Sequence, residues 1–404
     1  MGEKKSHLLG PGEDRKAGKT IIYTTVNDLS THGGIETMIP QEIGYLRSKG
    51  YDINLLSCPP KGELRIGKDD LAGAEHYPKS FQEFPWLFKS LLSMIWFCRH
   101  VGKLSKEGKG ACVSFSVIDG GGAALAKASG ARIKLVMRIV GPLSYEVQYF
   151  GKKRGVKQLL GAPIYRLIEA FTYIVSDEIL PISELEDDNV RSYRIDEGKV
   201  RILRCGVDSS RYDGKRGTGP LKVPPGSKVV MFVGRFVEKN GPLVIAKAIP
   251  EVLKGEPSAV FVMVGDGPLM DNLRTTLAQE IEQGSVLMPG FRSDIPQLHA
   301  QANVYVGHVS SLVEGLGQTV FEAMMSGLPV VVGKDRISEK IVDDGKSGIL
   351  VRKDDPGATA KAILTLLKDP ERSRQIGLRA RETALATLSF DSMMREVINS
   401  IDSG

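Results

Sequence analysis

Residues 310–331 carry the densest chemistry of the chain: Ser-Ser-Leu-Val-Glu-Gly-Leu-Gly-Gln-Thr-Val-Phe-Glu-Ala-Met-Met-Ser-Gly-Leu-Pro-Val-Val. Two carboxylates, Glu314 and Glu322, bracket a glycine loop that runs into a helical pattern. Gly315, Leu316 and Gly317 leave the N–H groups of Gly317, Gln318 and Thr319 uncovered at the start of that helix. Such amides, with the positive end of the helix dipole behind them, form a ready site for a diphosphate. A carboxylate accepts paired hydrogen bonds from vicinal hydroxyls, so two of them beside a phosphate site suit a ribose and a sugar.

Three more turns follow apolar strands in the same half. Val233-Gly-Arg-Phe-Val-Glu-Lys-Asn-Gly241 presents Gly234, Arg235 and Lys239, two cations able to grip a diphosphate. Gly265-Asp-Gly267-Pro lets backbone approach a ligand closely. In Pro289-Gly-Phe291-Arg292-Ser-Asp294, Ser293 or Asp294 reads as a helix N-cap. Each is weak alone, but ligands of doubly wound sheets bind beyond the carboxyl ends of the strands, and all four turns sit there. His32, beside Gly33, is a further candidate for contact with phosphate or acceptor.

The elements that would position these groups alternate regularly. Short β-branched runs at 21–26, 53–57, 111–115, 134–139 and 178–182 alternate with helical patterns, and the alternation resumes with buried runs at 229–233, 259–264, 303–307, 329–332 and 348–351. This predicts an α/β chain of two doubly wound, Rossmann-like domains facing across a cleft. The expected boundaries are a polar flexible tail at 1–19, a domain at 20–206, a linker rich in Gly, Pro, Lys and Arg at 207–227, a second domain at 228–388, and a C-terminal helix at 389–404 returning towards the first domain. A chain of 404 residues exceeds what one core usually supports.

Hydrophobic and charged fractions of 42% and 25% exclude a disordered or fibrous chain. The net charge of +6 suits anionic ligands or an anionic membrane surface without requiring nucleic acid. Cys58, Cys98, Cys112 and Cys205 form no C-x-x-C pair and read as reduced thiols. The stretch from Phe84 to Cys98 is too short and too polar for a membrane span. His299 and His308 have no partner at ligand spacing, and no Asp-x-Asp turn is present, so no metal is expected.

In this order, the motifs resemble the retaining family 4 glycosyltransferases, of the two-Rossmann-domain type called GT-B. The resemblance spans most of residues 20–400. It takes in Gly33-Gly-Ile-Glu36, Ile182-Ser, Gly206-Val-Asp208, Gly234-Arg235, Gly265-Asp-Gly-Pro268 and the Glu314/Glu322 pair. It implies a nucleoside diphosphate sugar, a UDP- or GDP-sugar, as donor substrate, no cofactor, and a glycan, lipid-linked or small-molecule hydroxyl as acceptor. By the same resemblance Glu314 meets the donor sugar and Glu322 the ribose. Arg235 takes the diphosphate, and the turn around Phe291, Arg292 and Asp294 cradles the base. Gly33 and Gly34 resemble the loop that closes on the donor phosphate. The chain departs from the family at Asn240, where a lysine is usual, and at Arg138, where many members have a histidine. Arg138 is therefore taken as the candidate catalytic cation of the first domain, beside Glu314, Arg235 and Lys239.

Two other classes stay open at this stage: a non-catalytic subunit on the same fold, and a nucleotide-sugar epimerase or phosphorylase. A dinucleotide-dependent oxidoreductase is disfavoured, because no G-x-G-x-x-G follows the first strand. The expected location is cytoplasmic, with peripheral contact at the inner membrane face as an open expectation. It rests on Lys152, Lys153, Arg154 and Lys157 and on the helical run Phe84, Leu87, Phe88, Leu91, Leu92, Ile95, Trp96. A buried core face accounts for that run more simply. The sequence leaves the oligomeric state open.

Overall fold

The computed structural model describes residues 20–27, 29, 34–60, 74–107, 110–140, 161–212, 221–312 and 314–403. The chain divides into two compact units. One takes in residues up to Ile182 together with Glu186–Leu203 and Val397 onward; the other takes in Ser183–Leu185 and Arg204–Glu396. Apart from Ser183–Leu185, the second unit thus begins at Arg204, slightly ahead of the expected linker.

The first unit is built on six parallel strands: β1 (Thr20–Thr25), β2 (Asp52–Ser57), β3 (Glu75–His76), β4 (Gly110–Ser114), β5 (Ile133–Ile139) and β6 (Glu178–Pro181). Their spatial order is β3-β2-β1-β4-β5-β6. The second repeats the pattern with β7 (Lys228–Val233), β8 (Ala259–Val264), β9 (Val286–Gly290), β10 (Val304–Gly307), β11 (Val330–Gly333) and β12 (Ile349–Val351), ordered β12-β11-β10-β7-β8-β9. Both orders are the doubly wound Rossmann order, so the expected fold class is observed. All strand pairs are parallel, as in β1 with β2 and β7 with β8. Parallel strands are covered on both faces, which is why β8, Ala-Val-Phe-Val-Met-Val, is buried at every position.

The order reverses between β1 and β4 in the first sheet and between β7 and β10 in the second. Crevices at such points, beyond the carboxyl ends of the strands, are where ligands of this architecture bind. The helices that cover the second sheet include Pro242–Gly255, Gln318–Met325, Pro356–Lys368 and Pro370–Thr387. Three of these open with a proline in the first turn, where its missing N–H costs nothing. Among the described residues no helix is long and apolar enough to cross a membrane.

Candidate functional site

The carboxyl ends of β7, β8, β10 and β11 bring most of the expected site residues together within the second unit. Backbone bonds lock the first two turns to each other: Gly234 N donates to Val264 O at 3.0 Å and Phe236 N to Asp266 O at 2.8 Å. The fit leaves no room for side chains. Gly265 has φ 141°, and a Cβ there would lie 1.9 Å from Gly234 O, so only glycine is accommodated. Arg235 and Lys239 project into solvent from this turn. Asn240, where a lysine was expected, donates from Nδ2 to Arg235 O at 2.8 Å and so closes the turn that carries both cations. Asn240→Ala is expected to cost about 1 kcal/mol. A melting-temperature drop of roughly 2–4 °C in a thermal unfolding scan would register it.

The glycine loop stands opposite. Tyr305, at 0% exposure on β10, donates from its hydroxyl to Thr319 Oγ1 at 2.9 Å and lies 3.2 Å from Val233 O, tying the end of β7 to the start of helix Gln318–Met325. Gly317 is the N-cap of that helix, and no side chain caps it. Directly after β10, His308 adopts φ 53°, a strained conformation for a side-chain-bearing residue. Its ring lies under the loop: a Cβ on Gly317 would fall 2.3 Å from His308 Nε2. Burial, then Lys353 and Lys239, lower the His308 pKa to about 4, so the imidazole is neutral at pH 7.

Asp335, on the loop after β11, organises the other side. It accepts from Gly315 N at 3.0 Å, Ile337 N at 2.9 Å and Ser338 N at 2.7 Å, and pairs with Lys353. The next residue, Arg336, pairs with Glu314 at 2.9 Å; both are about half exposed. One loop therefore holds the glycine backbone and the expected sugar-facing carboxylate. Glu322 lies within helix Gln318–Met325 beside Tyr212 and Arg211. Burial raises its pKa to about 7 against the opposing pull of Arg211 and a hydrogen bond from Tyr212. Asp208 delivers that pair by accepting from Ser210 N at 2.9 Å and so capping the turn 209–211. Gly206 O receives Gln318 Nε2 at 3.3 Å.

Some expected residues take other roles or lie elsewhere. Arg138 is fully buried, ion-paired with Glu42 and stacked 5.7 Å from the Phe115 ring. A guanidinium with no exposed surface and a carboxylate partner is a core element of the first sheet, not a group presented to a ligand. Asp294 does occupy the N-cap position of helix Ile295–Gln301, but its side chain makes no cap bond: Arg292 holds the carboxylate in two bonds of 2.8 and 2.6 Å. Phe291 beside it is 50% exposed. Gly34 opens helix Gly34–Ser48, while His32, Gly33 and the Lys152–Lys157 basic cluster lie outside the described residues.

Sequence reasoning missed Arg211, Tyr212, Asp335, Arg336 and Lys353. The Gly-Val-Asp signal at 206–208 pointed to the first pair, since a capping aspartate fixes the residues after it. Nothing in the spacing marked the other three.

The two halves of the chain match two family models: residues 32–211 that of Glycosyltransferase Family 4, and residues 219–383 that of Glycosyl transferases group 1. A UDP-Gal:alpha-D-GlcNAc-diphosphoundecaprenol alpha-1,3-galactosyltransferase of Escherichia coli is 26% identical over 83% of this chain and 85% of that protein. A D-inositol 3-phosphate glycosyltransferase 2 of Catenulispora acidiphila is 29% identical over 60% of this chain and 61% of its own length. Among solved structures, Anabaena Alr3699/HepE in complex with UDP and glucose superposes with a TM-score of 0.73 at 18% identity, covering 96% of this chain and 100% of that one.

Proposed function

Since the chain belongs to the family 4 glycosyltransferases and has their GT-B fold, we propose that it moves a sugar from a nucleoside diphosphate donor to an acceptor hydroxyl with retention of anomeric configuration and without a metal ion. The observation that carries this reading is the uncapped glycine loop at Gly317, flanked at the sheet's switch point by Arg235, Lys239 and the Glu322–Tyr212–Arg211 group. A diphosphate fits the amides and cations, and a ribose fits the half-buried carboxylate of Glu322.

In the reaction the bond between the anomeric carbon and the diphosphate oxygen breaks, its electron pair leaves with the diphosphate, and the acceptor oxygen bonds to the carbon as its hydroxyl proton passes to the departing diphosphate. Arg235, Lys239 and the amides of Gly317 to Thr319 stabilise the charge that grows on the departing group. His308, neutral, supports the loop without adding charge. Retention rests on the family resemblance. A uridine donor is supported by the UDP-galactose named for the E. coli relative and the UDP bound in the Anabaena neighbour. The diphosphoundecaprenol in the former name makes a lipid-linked acceptor the first to try.

The test is a thermal-shift panel of UDP, GDP and their sugars with the purified chain. A ligand at a hundred times its Kd raises stability by about 2.7 kcal/mol. A shift confined to one nucleotide, accompanied by slow hydrolysis of its sugar, is the expected result. Absence of any shift would leave a non-catalytic subunit as the better reading.

A further inference from the structure

The first unit exposes an apolar surface that its own fold does not use. In helix Trp86–Leu104 one face packs inward through Met94, Phe97 and Val101, each at most 6% exposed, against the Gly-rich helix Val117–Ala128. The opposite stripe, at i, i+3 and i+7, leaves Phe88 62%, Leu91 42% and Ile95 51% exposed. The sequence reading of this helix as core accounts for only one of its faces. Helix Gly161–Val175 does the same with Ile164 at 40%, Leu167 at 70% and Ile174 at 62%. Tyr165 donates to Ser90 Oγ at 2.9 Å, which sets the N-terminal parts of the two helices side by side. Six large apolar side chains on neighbouring helices exceed the scattered exposure a monomer ordinarily shows.

The exposed charges on the two helices themselves have one sign. The stripe of the first helix continues into exposed Arg99 and Lys103, and the turn beyond carries Lys106 and Glu107. That helix contains no acidic residue. The single acid of the second, Glu169, is fully buried and bonded by Tyr193. Glu75 and Glu83, the nearest acids before the first helix, lie outside both helices, and Glu75 faces His100.

We propose that these two helices dock the protein on an anionic bilayer, with Phe88, Leu91 and Leu167 entering the boundary of headgroups and acyl chains and Arg99 and Lys103 lying among lipid phosphates. The pattern of apolar residues followed by cations is that of an interfacial helix. A second copy of the chain fits less well, because two-fold self-association sets the same patch against itself and brings cation to cation. The surface belongs to the first unit and the donor-site residues to the second, so this inference does not depend on the proposed donor chemistry.

Co-sedimentation of the full chain with vesicles of phosphatidylglycerol and phosphatidylcholine, against phosphatidylcholine alone, tests it. Binding to the anionic vesicles only is expected, weakening as salt rises. Phe88→Glu and Leu167→Glu should each lower the partition at least tenfold, and Arg99→Glu or Lys103→Glu by about fivefold or more. All four positions are exposed, and unchanged melting temperatures will show that the variants fold. Hydrogen exchange slowed in residues 86–104 only when anionic vesicles are present is the second expected signature. The proposal is overturned if the chain ignores anionic vesicles or if the variants bind as well as the parent. It is equally overturned if sedimentation velocity reveals a dimer that Leu167→Glu dissociates while vesicle binding is absent.

Discussion

Replacing Arg235 and Lys239 together by alanine is expected to lower kcat/KM for the donor sugar by roughly a thousandfold, most of it in kcat. Removing one preorganised donor from a developing oxyanion costs about a hundred- to a thousandfold, and two cations acting on one group are not additive. Both side chains are solvent-facing in the unliganded chain, so their loss leaves the β7 turn standing on its backbone bonds and on Asn240. Lys239 is close enough to His308 to help lower its pKa, which puts its charge next to the glycine loop. Charge on the leaving diphosphate grows between ground and transition state, so the loss should appear in kcat more than in KM. Steady-state kinetics with each single variant and the double would separate the roles. A rise in KM alone would mean that these residues merely hold the ground-state donor. Unchanged kinetics would move the diphosphate grip away from this turn.

The architecture was legible because parallel strands buried on both faces read as continuous apolar runs. Ten of the twelve strands were expected within a residue or so of where they occur. While the edge strands β6 and β12 were expected, the two missed strands, β3 and β9, also lie at sheet edges. One is only Glu75–His76, and the other, Val-Leu-Met-Pro-Gly, carries a proline that an edge tolerates but that masks the strand signal. Glycines announced the turns at 234, 265 and 315–317 because their constraint is local: where backbone meets backbone at 1.9 Å, only one residue type survives.

The partners of the site residues were not legible, because they depend on tertiary approach. Asp335 meets Gly315, and Arg336 meets Glu314, across a gap of about twenty residues that no periodicity encodes. Arg138 illustrates the converse error. Its place at a strand end where many family members have a histidine suggested a ligand contact, but Glu42, on helix Gly34–Ser48, pairs with it inside the core. A charged residue on a buried strand needs such a partner, and sequence alone could not say which carboxylate supplies it.

Glu322 carries the second large expectation, and its burial fixes the sign. A carboxyl with a pKa of about 7 is mostly protonated at pH 6 and mostly ionised at pH 8. Ribose hydroxyls donate more strongly to the ionised form, so nucleotide affinity should rise with pH, by up to about tenfold per pH unit below 7, and level off above it. Stability should run the other way. The folded pKa exceeds the unfolded value of 4.5, so the folded chain is favoured most below that value and loses stability as pH climbs towards 7. Glu322→Gln removes the titration. Relative to the parent, the variant should gain stability above pH 7 while binding nucleotide about 10- to 100-fold more weakly. Asp119, raised to about 6 by burial in the first unit, titrates in the same window but is common to both proteins and cancels in the difference. Calorimetric titration with UDP and GDP from pH 5.5 to 8.5, beside thermal unfolding of the free proteins, reads both quantities. A purely structural glutamate could gain stability on substitution, but it would not lose the ligand at the same time. If Glu322→Gln binds nucleotide as tightly as the parent at pH 8, the ribose contact belongs to another residue, and the Tyr212–Arg211 pair would then hold Glu322 for packing alone.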